Sequence, residues 1–239
     1  MSKIALVTGA NKGIGRAIAE GLAGLGMTVV VAARDPRRGA ETADRLGARS
    51  VVLDVTDPAS VRAAAVQVDG WFGRLDVLVN NAGISGGRAG QLPGEVDLDT
   101  VRAVFETNFF AVIGVTEAFL PLLRRSPDAR IVNVSSGTGS LHWQTDPDHY
   151  FAGLPAFTGY PASKTALNML TVQYAKALAG NNIRVNAVAP GACGTDFAKD
   201  LGFTLERTAA QGAAIAVHLA GAEDGPTAGF FDDDGAVPW

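Results

Sequence analysis

The sequence predicts a single α/β domain: a doubly wound, mostly parallel β-sheet with helices on both faces. Three observations predict it. Short apolar runs alternate with longer amphipathic stretches along the 239 residues. Most of these runs are continuously apolar, as strands covered on both faces are. A glycine-rich segment follows the first run directly. No linker or repeat interrupts the pattern, so one domain over residues 1–239 is expected.

The strand candidates are Lys3–Thr8, Met27–Ala33, Ser50–Leu53, Leu75–Val79, Arg130–Val134 and Ile183–Val188, with Gly229-Phe230-Phe231 as a last one. After the first, Ile14, Ala17, Ile18, Leu22 and Leu25 form a helical stripe. Asp57-Pro58 has the form of an N-cap followed by proline at the first helical position. Phe105 to Leu123 is long and apolar, which predicts a helix buried on more than one side. Right-handed crossovers then place ligands beyond the carboxyl ends of the strands. The informative loops are those that follow strands.

Composition narrows the function classes. At 47% hydrophobic and 18% charged, the chain has ample apolar material for a core. A net charge of −4 argues against a nucleic-acid partner, and Arg37-Arg38 and Arg124-Arg125 are too short to reverse that. Cys193 is the one cysteine, so no intrachain disulfide forms, which fits a reducing compartment. The apolar stretch Ile4–Val7 is too short for a signal peptide, and no apolar run approaches the ~20 residues that cross a bilayer. A soluble cytoplasmic protein without a membrane partner is expected. His142 and His149 lack ligand spacing, and Asp232-Asp233-Asp234-Gly235 reads as a charged turn, so no metal is expected.

The first strand runs into Thr8-Gly9-Ala10-Asn11-Lys12-Gly13-Ile14-Gly15. Glycines there permit a tight turn and close backbone approach to a pyrophosphate, which the next helix meets with its N–H groups. The spacing T-G-x-x-x-G-x-G resembles the short-chain dehydrogenase/reductase family. So do Asn80-Asn81-Ala82-Gly83, Asn108, Ile131-Val132-Asn133-Val134-Ser135-Ser136, Tyr160-Pro161-Ala162-Ser163-Lys164 and Pro190-Gly191, in that order over nearly the whole chain. Within the family, Gly-Ala-Asn-Lys-Gly-Ile-Gly, Ala-Arg-Asp-Pro-Arg-Arg-Gly and Gly-Pro-Thr-Ala-Gly-Phe-Phe look most like the NADPH-dependent carbonyl reductase group. The resemblance implies a Rossmann-type fold and a nicotinamide cofactor held by Gly9, Asn11, Lys12, Gly13, Ile14, Gly15, Asn81, Ala82, Gly83, Tyr160, Lys164, Pro190, Gly191 and Thr195.

Cofactor choice is read at the end of the second strand. An acid there binds the ribose 2′-hydroxyl of NAD, whereas an arginine accommodates the 2′-phosphate of NADP. Ala33 takes the place of the acid and Arg34 follows it. With Arg38 and Lys12, three cations converge on one phosphate, which favours NADP(H) over NAD(H). Asp35 is the rival, serving NAD if the strand ends one residue later. Asp54, with Val55 beside it, resembles the family's adenine-contacting acid; a turn-capping role before Thr56 and Asp57 is the alternative.

Tyr160 and Lys164 are four apart and share one helix face. A free tyrosine titrates near 10, and a nearby ammonium is expected to lower that toward working pH. By resemblance, Lys164 also holds the nicotinamide ribose, Ser136 polarises the substrate carbonyl and Asn108 holds a water linked to Lys164. Tyr160 then protonates the alkoxide left after hydride transfer. Tyr150 sits nearer the family's usual spacing from Ser136, but Leu154 follows where a lysine is required, so Tyr160 is chosen. That choice implies an insertion at about 137–159. Trp143 and Tyr150 in it are candidates for an aromatic pocket wall over Ser136 and Tyr160, or for a self-packed loop or subunit contact. A substrate lid is expected at about 192–210.

The expected function is NADPH-dependent reduction of a ketone, aldehyde or quinone to an alcohol. An oxidative alcohol dehydrogenase and a non-catalytic NADPH sensor are the alternatives, the sensor disfavoured because it needs no such set as Asn108, Ser136, Tyr160 and Lys164. The long helix ending at Leu123 and the helix Tyr160–Ala179 suggest, by resemblance, a homodimer or homotetramer, unless the insertion leaves a monomer.

Overall fold

The strands in a computed structural model, which describes residues 2–200, 202 and 204–239, are β1 (Ile4–Thr8), β2 (Thr28–Ala33), β3 (Arg49–Val52), β4 (Val77–Asn80), β5 (Ala129–Val134), β6 (Ile183–Val188), β7 (Phe230–Asp232) and β8 (Gly235–Ala236). They form one sheet in the order β3-β2-β1-β4-β5-β6-β7-β8. Every pairing is parallel except β7 with β8. That last hairpin turns on Asp233 and Asp234, the Asp234 N–H donating to Asp232 Oδ1 at 2.9 Å. The helices are α1 (Gly13–Gly24), α2 (Pro36–Leu46), α3 (Pro58–Phe72), α4 (Leu98–Phe105), α5 (Ala111–Leu123), α6 (Leu141–Thr145), α7 (Tyr160–Leu178), α8 (Asp196–Asp200) and α9 (Ala209–Gly221).

Successive strand residues face opposite sides, so the sheet separates two cores. Ile4, Leu6, Leu78 and Ile131 pack with α3, α5 and α7. Ala5, Val7, Val79 and Val132 pack with α1, α2 and α9. The continuous apolar runs of the sequence follow from this double covering. Leu25 departs from the expected stripe: α1 ends at Gly24 and Leu25 is 57% exposed. Asp57 caps α3 as expected, accepting from Ala59 N at 2.8 Å.

The apolar segment expected as one helix is interrupted. Glu106–Phe110 forms a π-helical turn between α4 and α5, with Asn108 buried in it. Such turns insert a residue into the helix and re-aim its side chains. Leu98–Leu123 is nonetheless one 26-residue helical stretch with an 18-residue window of mean hydropathy 1.4, long and apolar enough by those two measures to cross a bilayer, unlike the shorter runs read from the sequence. Its apolar residues Val115, Phe119, Leu120 and Leu123 are spent on the sheet.

Charge pins the amino-terminal edge of the sheet. Arg130, 2% exposed, donates to Asp128 Oδ2 at 2.8 Å and to the Ala222 carbonyl beyond α9. Arg184 and Lys3 reach the same carboxylate at 2.6 and 3.3 Å. The opposite edge is left for function. There the strand order reverses between β1 and β4, opening a crevice between the loops that follow them.

Candidate active site

The two loops at that crevice are bonded into one unit. Thr8 Oγ1 accepts from Asn81 N at 2.9 Å and Ala82 N at 3.0 Å, and Asn81 Nδ2 donates to Thr8 O at 2.8 Å. Gly9 and Gly13 adopt φ of +64° and +56°, where a side chain is strained. A Cβ on Gly15 would collide with Asn81 Nδ2 and stand 2.5 Å from Gly9 O. Helix α1 starts at Gly13 with no side-chain cap from Lys12. A cradle too tight for Cβ atoms, at an uncapped helix start, fits a pyrophosphate. Gly15→Ala is therefore expected to cost about 1–3 kcal/mol in stability, as overpacking does, and to weaken dinucleotide binding; thermal unfolding and nucleotide-fluorescence titration measure the two.

Beside this cradle, β2 ends at the buried Ala33 and Arg34 is exposed. Asp35 is turned to cap α2, accepting from Arg37 N at 3.0 Å and Arg38 N at 3.1 Å. Arg38 Nε lies 3.6 Å from the same carboxylate. Lys12 Nζ pairs at 2.9 Å with Asp196 of α8, whose carboxyl Lys12 holds below the usual range, with smaller help from Lys199 and Arg38. Asp54 Oδ1 accepts from Thr56 N at 3.0 Å and Thr56 Oγ1 at 2.8 Å, so the structure gives it the turn-capping role. These bonds hold its carboxyl low, and Arg34 adds to the effect. Val55 packs on the core of α3 and α5, and Ile14 on the other core. The Asn11 carbonyl accepts from Thr42 Oγ1 at 3.5 Å.

Across the crevice stand the residues expected to carry chemistry. Strand alternation sends Ser135 inward, its hydroxyl donating to Asn168 Oδ1 at 2.6 Å. Ser136 faces the other way and accepts from Thr138 Oγ1 at 2.9 Å. Lys164 Nζ lies 5.7 Å from the Tyr160 ring centroid and donates to Val134 O at 2.9 Å. Gly139 lets α7 approach this closely, since a Cβ there would stand 2.8 Å from the Lys164 carbonyl carbon. Asn108 Oδ1 accepts from Ile84 N and its Nδ2 donates to Ile84 O, both at 2.9 Å, and to Ser163 Oγ at 3.1 Å. Asn108 Oδ1 and Lys164 Nζ converge on Gly83, 3.2 and 3.6 Å from where its Cβ would be.

The titration of Tyr160 runs opposite to the expected direction. Burial pushes the phenol up to about 12, with the Ser136 hydroxyl only partly offsetting it. Burial likewise lowers Lys164 to about 8. At neutral pH the phenol is protonated and the amine mostly charged.

A family model described as short chain dehydrogenase matches residues 3–205. The chain belongs to the short-chain dehydrogenase/reductase family. It is an oxidoreductase that uses a nicotinamide cofactor on small-molecule substrates. This dehydrogenase/reductase is 40% identical to short-chain dehydrogenase anuI of Penicillium roqueforti, over 81% of this chain and 80% of that one. It is 32% identical to (+)-neomenthol dehydrogenase of Capsicum annuum, over 96% and 95%. A solved structure described as NADPH-bound carbonyl reductase from chicken fatty liver matches with a TM-score of 0.85 at 30% identity, over 100% of this chain and 99% of that one.

In this dehydrogenase/reductase the segment 137–159 packs largely on itself. Trp143 stacks on His149 at 4.8 Å and meets Phe151 edge-on at 6.1 Å. It also covers Gly137, next to Ser136, where a Cβ would stand 2.9 Å from the indole. Tyr150 is 68% exposed with its ring against His149 and Phe151. Of the lid span, residues 201 and 203 lie outside the described residues. Its start touches the glycine loop: Thr195 Cγ2 is 3.7 Å from where a Gly13 Cβ would be. At Pro190-Gly191, Gly191 adopts φ +72°, and the Pro190 carbonyl accepts from Arg207 Nε at 3.0 Å. Two neighbours of Tyr160 had not been singled out in the sequence. Phe197 of α8 lies 5.4 Å from its ring, and Gln91 bonds its backbone N–H at 2.9 Å. Nothing local marked either one.

Proposed function

We propose that the chain reduces the carbonyl group of a small ketone, aldehyde or quinone to an alcohol, with NADPH supplying the hydride. The observation that carries this is a Tyr160 phenol that is protonated at neutral pH and feels the Ser136 hydroxyl, with Lys164 Nζ 5.7 Å from its ring on the same helix face. Ser136 holds and polarises the substrate oxygen, and Tyr160 gives its proton to that oxygen as negative charge develops there. A phenol at about 12 is protonated at pH 7, the form that gives a proton in reduction. Lys164, charged at neutral pH, stabilises the phenolate that remains. Asn108 braces Ile84 and Ser163 and so holds the floor beneath the pair. Trp143, against Gly137, stands where it borders a substrate held by Ser136.

The preference for NADPH is supported by the second strand. Ala33 offers no acid, Asp35 is engaged in capping α2, and Arg34, Arg38 and Lys12 are exposed at the crevice mouth. Charge-assisted hydrogen bonds to a 2′-phosphate contribute about 1.5–3 kcal/mol. A preference for NADPH over NADH of about 10- to 100-fold in kcat/KM is therefore expected. Initial rates of both cofactors against a panel of ketones, aldehydes and quinones test it; equal rates with NADH remove the cofactor assignment, and no turnover of any carbonyl removes the activity.

A further inference from the structure

Helix α7 begins without a cap of its own. Gly159 at its N-cap makes no side-chain bond, and Pro161 brings no N–H. The N–H of Tyr160 donates instead to Oε1 of Gln91, 2.9 Å away and 69 residues earlier. Gln91 is 1% exposed. Its Nε2 donates to Ser85 O at 2.9 Å and to Gly87 O. Its own carbonyl accepts from Thr158 N at 2.9 Å and Thr158 Oγ1 at 3.0 Å. Glycine is needed beside it, since a Cβ on Gly159 would stand 2.6 Å from Gln91 Oε1. Ser85 closely follows Gly83, the point on which Asn108 and Lys164 converge. One buried amide thus joins the backbone of Tyr160 to the segment that follows β4.

We propose that Gln91 is a positioning residue for proton transfer: it sets where α7 begins, and with it where the Tyr160 phenol stands relative to Ser136 and the substrate oxygen. The inference rests on Tyr160 being the proton donor. A neutral carboxamide accepts from an N–H with one atom and donates two hydrogens with the other. A carboxylate of the same shape accepts from Tyr160 N but meets two carbonyl oxygens with no hydrogen between. Misplacing a reacting group by about 1 Å costs on the order of 10²-fold in rate.

The test compares wild type, Gln91→Met, Gln91→Glu and Tyr160→Phe with NADPH and one carbonyl compound that the wild type reduces. Gln91→Met is expected to lower kcat at least tenfold while the KM for NADPH stays within twofold. Gln91→Glu is expected to be as slow at pH 8 and to recover toward wild type as pH falls to 5.5, because the protonated acid donates to one of the two carbonyls. Asp97, the carboxylate that packs on Gly90, is held low by Thr100 and does not titrate in that window. A wild-type kcat in Gln91→Met, or equal loss of kcat and NADPH affinity with no recovery in Gln91→Glu, overturns the inference. If Gln91→Met does not fold, Gln91→Glu alone decides by its pH profile. Turnover surviving in Tyr160→Phe overturns both this inference and the proton-donor reading. An inactive Tyr160→Phe beside an unaffected Gln91→Met overturns this inference alone.

Discussion

Tyr160→Phe is expected to lower carbonyl turnover by about 10²- to 10⁴-fold, the range of a general acid's contribution, while NADPH binding changes by less than threefold. The phenol feels the Ser136 hydroxyl at the carboxyl end of β5, and the glycine cradle lies across the crevice. Stopped-flow turnover and nucleotide titration on the same protein separate the two quantities; parallel losses would point to a distorted cofactor site instead. The wild-type pH profile adds a second reading. Lys164 titrates at about 8, so reduction is expected to slow as pH rises through that value and the ammonium is lost. Stability moves the other way on this residue's account. Its folded value lies below the ordinary 10.5, so between about 8 and 10.5 the unfolded chain holds the extra proton and stability rises with pH. Lys164→Met removes both dependences.

Asp128→Ala is expected to cost about 3 kcal/mol, the low end for breaking a buried ion pair. Arg130 is 2% exposed and would keep carbonyl partners but lose its carboxylate, while Arg184 and Lys3 lose theirs. For a domain of this size the apparent Tm should fall by about 6–12 °C. Calorimetry reads the loss, and a shift under 2 °C would contradict it. Arg125→Ala is the contrast: its pair with Asp69 is half exposed, and such pairs contribute about 0–1 kcal/mol. Burial alone would raise the Asp128 carboxyl, but Arg130 and Lys3 outweigh that and hold it low. Its contribution is therefore present at neutral pH and is lost as pH falls through its depressed folded value.

The central strands β1, β2, β4, β5 and β6 were legible because they are buried on both faces and so read as largely apolar runs, whereas β3 lies at the edge with Arg49 and Val52 exposed. Only β8, two residues long, was absorbed into the expected charged turn. The π-turn at Asn108 left no mark, since an apolar helix has no polar stripe whose phase an extra residue would shift. The rivalry between Asp35 and Ala33 could have been resolved from sequence. Asp35-Pro36 repeats the Asp57-Pro58 signature, and both aspartates cap helices. The direction of the Tyr160 shift was misread because a nearby ammonium was weighed and burial was not. Gln91 and the tail contacts, in which Ser140 Oγ donates to Pro238 O and His142 N to Trp239 O, join residues far apart in the chain. No local pattern encodes such bonds.

The sheet that divides two cores limits where this chain can gain or lose residues. Deleting one residue within β4 would exchange Leu78 and Val79 between two differently shaped greasy layers and drag Asn81 off Thr8. Length can vary only past the strand ends. New substrate ranges should therefore arise by lengthening the rim while the staves stay the same length.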